Sequence, residues 1–246
     1  MRELILAIQF LTRLPTPAVR DFQPGDLAAS VAWFPLVGLL IGAGVSATAW
    51  AGAALDPWLG ALAGLAFWVA VTGALHLDGL ADLADALGAA HRPDDAQARR
   101  EKLLSVLADP HLGVFGAVAL VMQLLAKLVL LLLAVKAGAY LALALLPACA
   151  RWGVLLWSRL PSIKPGLGER FAWRTGLAPF FLWGTLLAAA GYRVPALFAG
   201  FAFAAAWRVF LLRRLGGMTG DALGAGVEWM ETALLLCVIM FAKFAP

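Results

Sequence analysis

Apolar runs fall at about 33–54, 58–75, 112–134, 138–157, 177–192, 194–212 and 229–244, separated by short polar or charged stretches. A membrane-spanning helix needs about 20 apolar residues, and runs of this kind suit it. The pattern predicts an all-α, polytopic integral membrane bundle of about seven transmembrane helices, forming a single domain over 1–246. Ahead of these runs, Met1–Leu11 mixes Arg2 and Glu3 with apolar residues and predicts an interfacial helix at about 3–13, stopped by Pro15 and Pro17. No small-residue cleavage site follows it, so it does not read as a removable signal.

Composition agrees. A hydrophobic content of 63% and a mean hydropathy of +0.87 are too apolar for an ordinary soluble domain. The two cysteines, Cys149 and Cys237, each sit alone in an apolar run, which supports neither a disulfide framework nor a thiolate metal site. The formal charge of +4 matters through its arrangement. Arg2, Arg13 and Arg20 precede the first run; Arg92, Arg99, Arg100 and Lys102 follow the second. Arg159, Lys164, Arg170 and Arg174 follow the fourth, and Arg208, Arg213 and Arg214 close the sixth. The opposite connections hold only Lys136, Arg193 and the terminal Lys243. The positive-inside rule then makes the amino terminus and the charged loops cytoplasmic and the carboxyl terminus external.

The stretch His76–Gly88 breaks the apolar pattern most sharply. It directly follows the second run, so a helix continuing through it places Asp78, Asp82 and Asp85 on one face at spacings of four and three. Leu77, Leu80, Leu83 and Leu87 cover much of the rest. An aspartate near the bilayer centre costs roughly 2.5–3.5 kcal/mol, so these three are expected to face protein, water or a cation. Clustered carboxylates repel one another, and magnesium shared with a phosphate is the natural hard partner. A solvated cap at the membrane boundary is the plainer alternative, but it accounts for one or two acids rather than a stripe.

Other polar features share the expected cytoplasmic side. Asp109 and His111 precede the third run. The polar loop 89–107 contains a short amphipathic pattern from Ala96 to Leu107, with Asp94 and Asp95 as solvated connector residues. Lys102 and Arg99 there could contact phosphate or lipid headgroups. Lys127 lies deep in the third run and is expected to pair with an acid or to snorkel. Arg151 is expected to reach the headgroups. Pro161–Phe171 reads as a turn-rich loop. Gly216–Ala225 reads as a glycine-rich loop whose backbone amides could approach a phosphate while Asp221 holds a cation; close helix packing by the glycines is the alternative.

With these residues in view, the chain resembles the cobalamin synthase family, the adenosylcobinamide-GDP ribazoletransferases. The matching pieces are Phe10-Leu-Thr-Arg-Leu-Pro15, Trp33-Phe-Pro-Leu-Val-Gly38, His76-Leu-Asp-Gly-Leu-Ala-Asp82 with Asp85 and Gly88, Asp109 to Gly116, Gly166-Leu-Gly168 and Gly216-Gly-Met-Thr-Gly-Asp221. They follow the family's order over nearly the whole chain. One departure is Asp109-Pro110-His111, where many members carry Asp-Ser-Arg, leaving His111 as the donor in place of the arginine.

The resemblance implies a bacterial inner-membrane enzyme that joins adenosylcobinamide-GDP to α-ribazole or its 5′-phosphate and releases GMP, with Mg2+ as cofactor. It implies metal ligation by Asp78, Asp82, Asp85 and Asp221, and proton acceptance by one of His76, Asp82 or Asp109. Substrate contacts are implied at Arg13, Gly79, Lys102, His111, Gly216, Gly217, Thr219 and Gly220. The expected partners are these two small-molecule substrates and the lipid bilayer, with no nucleic acid; a homo-oligomer or association with other corrinoid-pathway enzymes stays open. Two competitors fit less well. In a CDP-alcohol phosphotransferase, Asp-Gly is followed by Ala-Arg, whereas Asp78-Gly79 is followed by Leu80-Ala81-Asp82. A secondary transporter would place its acids nearer the midplane, within repeated halves that are not evident here.

Overall fold

The computed structural model describes residues 1–20, 23–91, 95–164 and 176–244. Arg92, Asp94, Arg170, Arg174, Gly166-Leu-Gly168 and the rest of the loop from 165 to 175 lie outside the described residues. In chain order the helices are α1 Arg2–Leu11, α2 Pro24–Ser30, α3 Phe34–Ala53, α4 Pro57–Thr72, α5 Leu75–Ala89, α6 Ala96–Leu107, α7 Val114–Lys136, α8 Tyr140–Trp157, α9 Leu177–Gly191, α10 Ala196–Phe210 and α11 Gly220–Phe244. A π-turn, Leu211–Leu215, closes α10.

All seven apolar runs are helical, yet they do not make seven long spans. Among the described residues, five helical stretches are long and apolar enough to cross a membrane, or six if the bent pair α4 and α5 counts as one span. The run at 177–192 forms a helix of only 15 residues. The outward face of α7 exposes Phe115, Val118, Val121, Met122 and Leu125, an apolar surface that suits lipid. Inside, α3 packs against α8 and α4, and Gly38 lets α3 approach the backbone of Pro147. The long α11 lies against α5, α7, α8 and α10.

Local chemistry sets the helix ends. Asp56 caps α4 by accepting from the Trp58 amide at 2.8 Å. Asp95, solvent-exposed as expected of a connector residue, also caps α6 by accepting from the Ala98 amide at 3.0 Å. The first helix ends before its prolines. Thr12 turns extended, its hydroxyl donates to the Ile8 carbonyl at 2.7 Å, and the next amide, Arg13, donates to the Val71 carbonyl at 2.7 Å.

That contact docks the end of α1 at the most consequential break in the fold. The helix expected to run unbroken from 58 through the acidic stripe is bent by 84° between α4 and α5. Gly73 and Ala74 both adopt left-handed backbone with φ of 59°. For Ala74 this conformation costs about 1–2 kcal/mol. At Gly73 a Cβ would also run into the Arg13 side chain, so backbone and neighbour both favour glycine. The bend redirects α5 away from the line of α4 and lays its first turns against the start of α11.

Candidate active site

Gly79 brings α5 and α11 together. A Cβ there would lie 2.7 Å from the Asp221 carbonyl oxygen and 3.0 Å from its Cα, so only glycine permits this approach. Leu77, Leu80 and Leu83 are buried on the inward face of α5, which leaves Asp78 exposed and Asp82 half-buried on the other. Asp78, Asp221 and Asp85 all act electrostatically on Asp82, and Lys164 opposes them. Three of the four acidic residues singled out from the sequence, Asp78, Asp82 and Asp221, therefore face a common region.

Lys164 is the site residue that sequence reasoning passed over. Its ammonium lies 3.5 Å from Asp221 Oδ2 and also donates to the Leu107 carbonyl. Its position is fixed by backbone pairing between two loops. The Met218 amide donates to the Pro161 carbonyl at 2.9 Å, and the Ile163 amide donates to the Met218 carbonyl at 3.1 Å.

Asp85 points elsewhere. One carboxylate oxygen accepts from the Gly113 amide at 2.8 Å and the other from the Gly116 amide at 2.9 Å. It caps the first turn of α7 from a different helix, where unpaired amides and the helix dipole favour a negative charge. Each oxygen accepts one backbone amide, so the geometry gives Asp85 a structural task, holding the start of α7 to α5.

The expected glycine-rich loop is shorter than its sequence suggests. Gly220 to Ala225 already belong to α11, and the buried Thr219 caps it by accepting from the Ala222 amide at 3.0 Å. The amides of Gly216 and Gly217 donate to the Leu211 carbonyl, and that of Met218 is taken by Pro161. These three amides are committed to the fold and do not cradle a phosphate. Among the described residues, the amides of Gly220 and Asp221 at the open end of α11 have no such backbone acceptor.

Asp109, His111 and Lys102 form a separate, exposed group. The His111 ring lies 2.6 Å from Asp109 Oδ1, and its amide donates to the same oxygen at 3.0 Å. The hydrogen bond from that ring holds the Asp109 carboxyl below the ordinary carboxylate range, with a smaller contribution from Lys102. Nothing among the described contacts joins this group to Asp82.

A second cluster lies along α11, deeper in the bundle. The Lys127 ammonium sits 2.7 Å from Glu228 Oε2 and 2.6 Å from Glu231 Oε2, and 4.4 Å from the centre of the Trp68 ring. Lys127 therefore pairs with acids, one of its two expected fates. Gln123 donates to Glu228 Oε2 at 2.8 Å. Arg151, expected to reach the headgroups, is fully buried and bonded to Glu231 Oε1. Its other terminal nitrogen meets His76 Nδ1 at 3.3 Å. Arginine has donors only, so Nδ1 accepts and a neutral His76 ring carries its proton on Nε2. His76 thus presents a donor, which disfavours it as a proton acceptor.

The residues of both clusters lie within the part of the chain that is similar to known proteins. The family model described as cobalamin-5-phosphate synthase matches residues 3–239. The chain belongs to that family. It is 54% identical over 239 residues to the adenosylcobinamide-GDP ribazoletransferase of Thiobacillus denitrificans, covering 96% of this chain and 94% of the relative. It is 55% identical over 246 residues to the protein of that name from Laribacter hongkongensis, covering 99% and 98%. The one from Novosphingobium aromaticivorans is 53% identical over 244 residues, covering 97% and 96%. No solved structure matches.

Proposed function

We propose that this protein transfers the phosphocobinamide group of adenosylcobinamide-GDP to α-ribazole or its 5′-phosphate, releasing GMP. The observation that carries this reading is identity above one half, over nearly the entire chain, to several proteins bearing the ribazoletransferase name. The site chemistry supports it. The acceptor hydroxyl attacks the phosphorus bonded to cobinamide, the bond from that phosphorus to the GMP oxygen breaks, and the hydroxyl proton passes to a base. Asp82 is the best-placed acceptor. Burial and the charges of Asp78 and Asp221 raise its affinity for protons, whereas Nδ1 of His76 is committed to Arg151 and Asp109 is exposed with a lowered affinity for protons. Lys164, beside Asp221, would hold the negative phosphate oxygens in place.

The acids also fit magnesium in its usual form. Among the described residues no group of three or more His, Cys, Asp or Glu side chains is arranged to hold a metal alone. Magnesium commonly takes one or two carboxylates and completes its shell with water and substrate phosphate, a role Asp78 and Asp221 would serve. When bound it would offset charge on the pyrophosphate. By the distribution of basic residues the site faces the cytoplasm, with the bundle in the bacterial inner membrane.

The test is GMP release from adenosylcobinamide-GDP by the detergent-solubilised protein. Release that needs both an α-ribazole acceptor and magnesium is expected. No release from correctly folded protein would overturn the reading and favour an ion-translocating one.

A further inference from the structure

Beyond the acidic site, a cleft of about 460 Å3 opens between the end of α5, α6 and the π-turn after α10. Arg99 and Arg100 enter it from α6, and Arg213 and Arg214 from the π-turn. Among the described residues its lining includes no carboxylate, and Leu103 and Leu215 give it an apolar floor. Among the described residues no acid lies within ion-pair distance of Arg100, Arg213 or Arg214. Elsewhere this protein pairs its gathered cations with acids, as Lys127 and Arg151 show. The guanidinium groups of Arg100, Arg213 and Arg214, brought together from two separate elements, repel one another unless an anion joins them, and arginine suits phosphate oxygens in particular.

The cleft adjoins the acidic site through one segment. Gly216 lines the cleft, and Asp221, five residues on, lies beside Lys164. Gly216 has a φ of 77°, and a Cβ there would lie 3.2 Å from Arg100 Nη1, so glycine meets both the turn and the arginine. The π-turn that carries Arg213 and Arg214 is a backbone form often found at functional sites. The volume falls in the range of about 300–1,000 Å3 used by small ligands. It is small for a corrinoid, and a floor of leucines beneath a rim of arginines matches a flat base joined to a phosphate.

We propose that this four-arginine cleft binds the phosphate of a nucleoside phosphate, either the guanylate that leaves or the 5′-phosphate of the incoming ribazole. The inference rests on the transferase reading for the identity of these two sources. Basic residues also accumulate at membrane faces to meet anionic lipid, and the test separates that outcome.

Binding of radiolabelled GMP and of α-ribazole 5′-phosphate is measured by equilibrium dialysis on the full-length protein in neutral detergent, with unphosphorylated guanosine and α-ribazole as controls. One nucleotide is expected to bind, to outcompete its nucleoside, and to lose at least about tenfold in affinity in R100Q and in R213Q/R214Q. The nucleotide that loses affinity identifies the source. Should the variants fold poorly, the wild type gives the same answer. The bound nucleotide must protect Arg100, Arg213 and Arg214 from phenylglyoxal, read by mass spectrometry. The proposal is overturned if neither nucleotide binds the wild type, or if well-folded variants bind as the wild type does. It is overturned equally if only phosphatidylglycerol vesicles protect the arginines. GMP release by the wild type would leave the transferase reading standing in each case.

Discussion

Along α11, Asp221 and the pair Glu228 and Glu231 are separated by roughly 10–15 Å of helix and meet opposite surroundings. The deeper cluster sets two cations, Lys127 and Arg151, against two carboxylates, and its charges cancel. The outer one sets Asp78, Asp82 and Asp221 against Lys164 alone, an excess of two negative charges. Glu231 is fully buried, whereas Asp78 is exposed. A balanced cluster shut away from water ties helices together. An unbalanced one, open to solvent, retains the capacity to bind a cation and its phosphate. His76 on α5 joins the two, since its Nδ1 is bonded to Arg151 while Asp78 lies in the next half-turn of its helix.

The comparison breaks most readily at Glu231. Changing it to Gln leaves Arg151 buried without a carboxylate and removes one of the two acids on Lys127. A loss of about 3–5 kcal/mol is expected, because an uncompensated buried charge costs more than the pair contributes. Thermal unfolding in detergent would measure it. Replacing Arg151 and Glu231 together by Leu should recover much of that stability. If E231Q melts like the wild type, the deep cluster does not brace the helices.

At the outer cluster the expectation reverses. Asp82→Asn removes a charge from an acidic group already in excess, so the melting temperature should hold or rise. Turnover should fall by about 100-fold or more, the usual contribution of a positioned acid or base. Measuring kcat beside melting separates the two clusters cleanly. Full turnover in a folded D82N would return the role of base to His76 or Asp109.

How far the sequence carried this picture varied with the kind of feature. The helices were legible because lipid-facing and core-facing positions are both apolar, and the resulting runs are long. The stripe of acids was legible because charge in such a run stands out. The 84° bend was not, since Gly73 and Ala74 look like ordinary small residues of an apolar run and left-handed backbone leaves little trace in composition. The deep cluster was half legible. Lys127 demands an acid, but the final apolar run begins at 229, which leaves Glu228 outside it and Glu231 at its edge. Reading that helix back to Gly220 would have put both acids inside and beside two buried cations. Lys164 had no local signal, because its meeting with Asp221 depends on the pairing of two distant loops.

Asp109 sharpens the contrast by the smallest effect. It belongs to neither cluster, is exposed, and is bonded to an exposed His111. Its lowered pKa means that the contact is fully formed above the ordinary carboxylate range and is lost as pH falls through the lowered value. Two solvated side chains gain little from such a contact. A general base, by contrast, contributes about 10²–10⁴-fold to turnover. Asp109→Asn is therefore expected to change kcat by less than about threefold near neutral pH, with melting unchanged. A 100-fold loss would mean that the loop between α6 and α7 closes over the acids when substrate binds, carrying Asp109 to a position that the free protein does not display.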